Sequence, residues 1–401
     1  MNQATTPDSS KAKLALERGV AQVLPDSESL LKKMSSGKIR IYLGIDPTGS
    51  LLTLGHSVVL RKLQQFADLG HEVILLIGNG TVRIGDPTGR DSTRPTLTDE
   101  AIKENFKNWK AQASKVLDFS KIQILYNGDW LDKLTYVDMI KLMAQTTAQQ
   151  LLERDMFQER MKKELPIHGH EMLYPLLQGY DSVVMDVDLE IGGTDQTFNM
   201  MMGRQLQRQL NNREKWVLTT PIINGTDGRK MSKSYGNFIA LTENPIDMYG
   251  KLMRVADEMI IEYFEVLTNV PSSEIKDMAT AMKAGENPME YKKRLAFTIT
   301  EMYHSTNDAK NAQEHFEKTV QDNEIPADIP ELKITDGTSL IEVLKAAFPD
   351  ESNNNLRRLV EQTAVELMPS GERPTDLATP ITVGKTEVIR LGKRRYVKLV
   401  S

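Results

Sequence analysis

From residue 39 to residue 223, short apolar runs take turns with stretches whose apolar residues recur at helical spacing. Residues 41–56, IYLGIDPTGSLLTLGH, open as an apolar strand and break at Gly44, Pro47 and Gly49. They then pass into a helix carried by Val59, Leu60, Leu63 and Phe66 and ended by Gly70. Residues 73–77 and 122–125 are further apolar runs, bounded by Gly, Asn or charged residues. The charged helical segments between them have the length that a right-handed crossover between parallel strands needs. Strand-like sequence returns at 183–191 and 216–223, so the pattern predicts an α/β unit with helices on both faces of a parallel sheet. Residues 132–163 read as an inserted helical pair.

After residue 244 the strand signals stop. Met248, Leu252, Met253 and then Ile260, Tyr263, Phe264, Leu267 repeat at helical spacing. Residues 321–336 carry Pro326, Pro330 and many acids with little periodicity, which predicts a linker. Helices at 340–347 and 353–362 follow, then strands at 388–391 and 396–399. The expected organisation is therefore a tail and helix over 1–37 (helical at 11–24), a sheet domain over 38–243, a helical domain over 244–320, a linker over 321–337 and a small α+β domain over 338–401.

Composition narrows the functional classes. The 401 residues are 40% hydrophobic and 26% charged, as in ordinary soluble proteins. No window approaches the roughly 20 apolar residues of a membrane span, and residues 1–12 lack a secretory apolar core, so no membrane association and a cytoplasmic location are expected. Cysteine is absent, which excludes disulfides, a thiol nucleophile and thiolate-bound zinc. The net charge of −5 argues against non-specific nucleic-acid binding by the whole molecule, though not against a local basic patch.

A strand, a glycine-bearing turn and a helix start aim free N–H groups at the strand's carboxyl edge, where a nucleotide phosphate can sit. Much later, residues 228–234, GRKMSKS, place two ammonium groups on a glycine-led loop suited to a departing polyphosphate. Tyr174, Gln178 and Asp181 recur at i, i+4 and i+7, one face of a helix. The stripe could face solvent, but its setting among Leu173, Leu176 and Leu177 suggests a lined pocket. His168-Gly169-His170-Glu171 reads as a loop leading into that helix rather than a metal site. Arg154, Arg160, Lys162 and Lys163 are either a solvated helix face or a contact for RNA.

Thr53-Leu54-Gly55-His56 resembles the HIGH signature, and residues 230–234 match KMSKS, the two signatures of class I aminoacyl-tRNA synthetases. Within that class the chain resembles the bacterial tyrosyl-tRNA synthetases from residue 39 to 401, through YLGIDPTGSL, IGDPTGR at 84–90, YPLLQGYD at 174–181 and IGGTDQ at 191–196. The resemblance implies a Rossmann-like catalytic domain and a ligase that joins L-tyrosine and ATP into tyrosyl-adenylate, releases pyrophosphate and passes tyrosine to the 3′ end of tRNA(Tyr). Magnesium would accompany the ATP, with no metal held by the protein. A homodimer is implied, with residues 132–163 at its interface.

The same resemblance assigns residues. Tyr42 and Asp181 would flank the substrate's phenol, and Asp86, Tyr174 and Gln178 would hold its ammonium beside Gln196. A site built to hydrogen-bond a phenol rejects phenylalanine by leaving its own buried groups unpaired, an argument for which tyrosyl enzymes are the standard example. Gly44, Asp46, Thr48, Gly55, His56, Gly193, Asp195, Lys230, Met231 and Lys233 would lie along ATP. His56, Thr53, Lys230 and Lys233 would be the catalytic groups, the lysines binding pyrophosphate as its charge builds. The family's first signature histidine is Thr53 here, so a hydroxyl stands in its place.

The last segment resembles a small RNA-binding domain shared with certain ribosomal proteins. Residues 338–401 hold ten basic and eight acidic residues, +2, leaving −7 on the rest. Arg357, Arg358, Lys393, Arg394 and Arg395 are its implied RNA contacts, with a salt-sensitive affinity. Two other identities share features: the tryptophanyl enzymes, which have both signatures, and a synthetase-like RNA-binding protein without ligase activity. Tyr42 with Asp181, and Gln178 where an indole pocket would be apolar, favour a phenol, and retention of Lys230, Lys233 and Asp181 favours activity.

Overall fold

The computed structural model describes residues 9–88, 98–229, 231, 235–318, 329–392 and 395–400. Helix α1 (Ser9–Glu17) is followed by strand β1 (Gln22–Leu24), α2 (Ser27–Ser35), β2 (Arg40–Ile45), α3 (Leu54–Asp68) and β3 (Glu72–Ile77). Then come α4 (Asp99–Ala113), β4 (Ile122–Tyr126) and four short helices, α5 (Gly128–Leu131), α6 (Tyr136–Met143), α7 (Ala148–Leu152) and α8 (Asp155–Lys162). Helix α9 (Tyr174–Met185), β5 (Leu189–Gly193), α10 (Thr197–Asn211) and β6 (Trp216–Thr220) complete the sheet region. Helices α11 (Pro245–Leu252), α12 (Ile260–Leu267), α13 (Ser272–Lys283) and α14 (Pro288–Tyr303) follow.

The strands order as β1-β6-β5-β2-β3-β4, with β2 to β6 parallel and β1 antiparallel at the edge. The strands are apolar on both faces because both are covered: Ile41, Leu43, Ile74, Leu76, Leu189, Ile191, Val217 and Leu218 are all buried. The chain walks outward from β2 to β4, then returns to the other side of β2 with β5. That reversal leaves a crevice at the carboxyl ends of β2 and β5, where ligands of open α/β sheets bind. Helix α3 packs over β2 and β5 through Leu60, Leu63 and Phe66.

Contacts between Cα atoms divide the chain into two compact units, 1–305 and 306–401. The helices from α11 to α14 lie in the first, with α12 packed on α3 and Arg18 donating to the carbonyls of Phe264, Val270 and Thr268. The 244–320 segment expected from the sequence thus straddles the division. The second unit contains α15 (Thr306–Phe316), β7 (Glu331–Lys333), β8 (Thr338–Ser339), α16 (Leu340–Ala347), α17 (Asn353–Glu361), β9 (Val365–Met368), β10 (Pro380–Ile381), β11 (Val388–Leu391) and β12 (Arg395–Val400). Its sheet runs β7-β12-β11-β9, and Val343, Leu344, Leu356 and Val360 from the helices meet Leu367, Ile389, Leu391 and Val397 from the strands.

Four expectations change. Residues 331–333, expected within a linker, form β7 and pair in parallel with β12, while 321–328 lie outside the described residues. The first helix ends at Glu17, because Gly19 takes a positive φ of 60° and the chain re-enters as β1. Residues 183–185 belong to α9 rather than to a strand: the β-branched Val183 and Val184 mimic one, but the helix continues to a left-handed cap at Asp186, and β5 starts at Leu189. The inserted pair at 132–163 is three short helices, α6 to α8. Leu63, fully buried under the sheet, tests the packing of α3. Leu63→Ala should cost about 2–5 kcal/mol by the usual sum of lost burial and residual cavity, measured by denaturant unfolding of the full chain.

Candidate active site

The crevice at the β2/β5 reversal is a cavity of about 280 Å³, lined among others by Tyr42, Gly44, Asp46, Thr48, His56, Asp86, Tyr174, Gln178, Asp181, Gly193, Asp195 and Gln196. Eight residues, 46–53, separate the end of β2 from the start of α3, and that turn would be loose unless something held it. Helix α4 does so with one stripe: Asn105 donates to the Pro47 carbonyl (3.0 Å), Trp109 to that of Gly49, and Gln112 to that of Ser50 (2.7 Å) while accepting from the Leu52 N–H (2.7 Å).

His56 caps the helix it begins. The Thr53 N–H donates to His56 Nδ1 at 3.1 Å, which leaves the ring proton on Nε2 as a donor. Thr53 Oγ1 is 2.9 Å from the same nitrogen. Thr53 is therefore buried and in contact with His56, and it is not among the cavity's lining residues, so the structure gives it an orienting contact. Leu54 N–H donates to the Ile239 carbonyl and Leu241 N–H to that of Leu52, so the sequence following the lysine signature is stitched to the start of α3. Met231 Sδ lies 3.5 Å from where a Gly55 Cβ would be. Lys230 and Lys233 lie outside the described residues.

The three residues on α9 do share a face. Tyr174 donates its hydroxyl to Asp46 Oδ2 (2.8 Å), and the other Asp46 oxygen accepts from Thr81 Oγ1 (2.7 Å). Asp181 is buried and accepts from Trp130 Nε1 (2.8 Å) and Asn127 Nδ2 (3.1 Å). Burial pushes its carboxyl well above the ordinary range, and these two donors oppose that push by stabilising the ionised form. Tyr42, fully buried with Oη 2.9 Å from Ser182 Oγ, is likewise pushed up, by burial first and then by the carboxylates of Glu190 and Asp181. Asp86 accepts from Gln196 Nε2 (2.7 Å) and from both the N–H and hydroxyl of Thr88. Gln196 is itself oriented by Asn199.

A family described as class I tRNA synthetases (W and Y) matches residues 34–321. The chain belongs to that family. Among curated relatives, the tyrosine–tRNA ligase of Thermotoga maritima is 44% identical over 386 residues, 96% of each chain, and that of Aquifex aeolicus 41% identical over 389 residues, 96% and 97%. A solved tyrosyl-tRNA synthetase from Archaeoglobus fulgidus, complexed with L-tyrosine, superposes with a TM-score of 0.62 at 23% identity over 76% of this chain and 100% of that one. The truncated mitochondrial enzyme of Aspergillus nidulans gives 0.65 at 21% identity, over 77% and 93%. These two likenesses show the fold.

In this synthetase the arginines read as a solvated face or an RNA contact are neither. Arg154 is 5% exposed, stacks on Phe157 and Phe198, and donates to Thr88 Oγ1 (2.8 Å), behind Asp86; burial lowers it to about 10. Arg160 is 0% exposed and grips both oxygens of Glu171. Phe157 lies three residues from each, but Phe198, Thr88 and Glu171 are distant enough in sequence that the local charge pattern concealed them. Sequence reasoning also missed Asn127, Trp130, Thr81, Glu190 and Gly78. The only trace of the first two was the polar break after β4.

Gly78 shows how tightly the site is built, because a Cβ there would stand 1.9 Å from Asp46 Oδ1 and 2.5 Å from Thr81 Oγ1. Gly78→Ala should displace Asp46 and weaken ATP binding by roughly tenfold or more, the loss of one or two charge-assisted hydrogen bonds. Calorimetric titration with a non-hydrolysable ATP analogue checks this, with the melting temperature as the control for folding.

Proposed function

We propose that the protein is a tyrosine–tRNA ligase, and the observation that carries the reading is that Asp181 and Tyr42, both buried, line one cavity, with Trp130 and Asn127 donating to Asp181. There Asp181 accepts the proton of the substrate's phenol and Tyr42 completes the pair. Asp86, Tyr174 and Gln178 take the ammonium, with Gln196 held against Asp86. ATP lies along Gly44, Asp46, Thr48, Gly193 and Asp195, with Gly55 and Met231 near the helix start.

The tyrosine carboxylate attacks the α-phosphate in line, and pyrophosphate leaves. The Nε2–H of His56 donates to phosphate oxygen as charge builds, while Thr53 holds the ring in that tautomer. Lys230 and Lys233 are assigned to the departing pyrophosphate. Among the described residues no group of three or more acidic or histidine side chains is placed to hold a metal, so magnesium would arrive on the nucleotide's own phosphates and supply further charge neutralisation there. Transfer of tyrosine to tRNA(Tyr) follows. Arg357, Arg358 and Arg395 are the RNA contacts of the second unit, with Lys393 and Arg394 outside the described residues. Arg357 and Arg358 are exposed on α17, while Arg395 stacks on Phe348 and pairs with Glu351, so it would meet phosphate from a braced position.

A homodimer is part of the proposal. Helix α6 exposes Tyr136 (80%), Val137, Ile140 and Met143, an apolar face within the 132–163 insertion. No helix among the described residues is long and apolar enough to cross a membrane, and a cytoplasmic location is proposed.

ATP–pyrophosphate exchange without tRNA should proceed with tyrosine and not with tryptophan or phenylalanine. Exchange with tryptophan would replace the substrate assignment. Tyr42→Phe should lower tyrosine-over-phenylalanine discrimination roughly tenfold, as the loss of one buried hydrogen bond of about 1.4 kcal/mol implies. Sedimentation should give a dimer for the unsubstituted chain and a monomer for Ile140→Asp.

A further inference from the structure

At the phenol end of the cavity stand two charged groups that no part of the proposed chemistry uses. Glu190 lies on β5 and lines the cavity, and Lys215 lies immediately before β6, 0% exposed. The Lys215 ammonium donates to Glu190 Oε2, to Ser182 Oγ (2.7 Å) and to the Met200 carbonyl (3.1 Å), which employs all three of its protons. The other Glu190 oxygen accepts from Gln178 Nε2 at 3.1 Å. Ser182 Oγ is in turn 2.9 Å from Tyr42 Oη, and Lys215 Nζ sits 5.7 Å from the centre of the Tyr42 ring. Helices α9 and α10 make room for this cluster, since a Cβ on Gly203 would fall 2.5 Å from Lys215 Nζ and 2.7 Å from Ser182 Oγ.

A fully buried ion pair is a weak source of stability, because the attraction must first offset the desolvation of both charges. Its geometry here points elsewhere. The carboxylate holds Gln178 directly and the ammonium holds Tyr42 through Ser182, two residues that meet different ends of the amino acid. We propose that Lys215 and Glu190 are positioning residues that set amino-acid specificity. Glu190 draws the Gln178 NH2 toward itself, so that the amide oxygen is the face left for the substrate ammonium. Lys215 pins Ser182, and Ser182 fixes the Tyr42 hydroxyl. Lys215 also balances Glu190, so the phenol end holds two carboxylates, Asp181 and Glu190, against one internal cation. The inference rests on the tyrosine reading of the cavity.

Lys215→Met and the neutral pair Glu190→Gln/Lys215→Met are to be compared with the unsubstituted full chain in ATP–pyrophosphate exchange. The double variant leaves no unpaired buried charge and carries the test if the single one fails to fold, as judged by thermal melting. The expected result is a KM for tyrosine raised about tenfold or more and tyrosine-over-phenylalanine discrimination lowered about fivefold or more, with the KM for ATP within about twofold, the signature of lost substrate-specific contacts. A folded variant with unchanged KM for tyrosine and unchanged discrimination overturns the inference. Equal rises in KM for tyrosine and ATP also overturn it, since they mark a general structural role. No tyrosine-dependent exchange by the unsubstituted chain would instead remove the tyrosine reading, and the inference with it.

Discussion

Five carboxylates, Asp46, Asp86, Asp181, Glu190 and Asp195, face one cavity, and the architecture around the crevice is arranged to keep them there. Like charges brought together out of water raise one another's proton affinity unless donors or cations intervene. Asp181 feels this from Glu190 and Asp46 and is relieved by Asn127 and Trp130. Asp46 is tied by Tyr174 and Thr81, Asp86 by Thr88 and Gln196, and Glu190 by Lys215 and Gln178. Each carboxylate arrives on a strand end, a turn or α9, and, Thr88 apart, the donors named reach it from an element other than its own. Their joint placement requires the whole sheet to be in register.

The topology explains why these groups converge. Parallel strands end on the same side, and the reversal between β2 and β5 opens a gap there that no side chain of the sheet fills. Helix α4 fixes the turn after β2 by its carbonyls, α3 carries His56 in its first turn, and α9 lies alongside with its polar stripe turned inward. The proposed chemistry needs positioning and charge stabilisation rather than a covalent nucleophile, and rigid elements suit that.

The sequence made the parallel sheet, α3 and the α9 stripe legible, because each rests on periodicity or on a turn with glycine and proline. Tyr174, Gln178 and Asp181 could be named for the same reason, while Tyr42 and Asp46 were named from the family resemblance alone. What stayed hidden depends on contacts across long separations. Glu190 was not singled out, because its partner Lys215 is 25 residues away, and Arg154, read as a solvated face or an RNA contact, meets Phe198 and Thr88 from far along the chain. Thr53 was named from its motif position alone, and its hydroxyl lies against His56 at the helix start. Val183 and Val184 were misread because β-branched residues favour strands in isolation, whereas the packing of α9 on α10 settles them as helix.

The most direct measurement is a crystal structure of the full chain with tyrosine and a non-hydrolysable ATP analogue. The account predicts the phenol oxygen within hydrogen-bond distance of both Asp181 and Tyr42, and the ammonium within reach of Asp86, Tyr174 and Gln178. A tyrosine bound with its ring reversed, or with Asp181 turned away from the phenol, would contradict it.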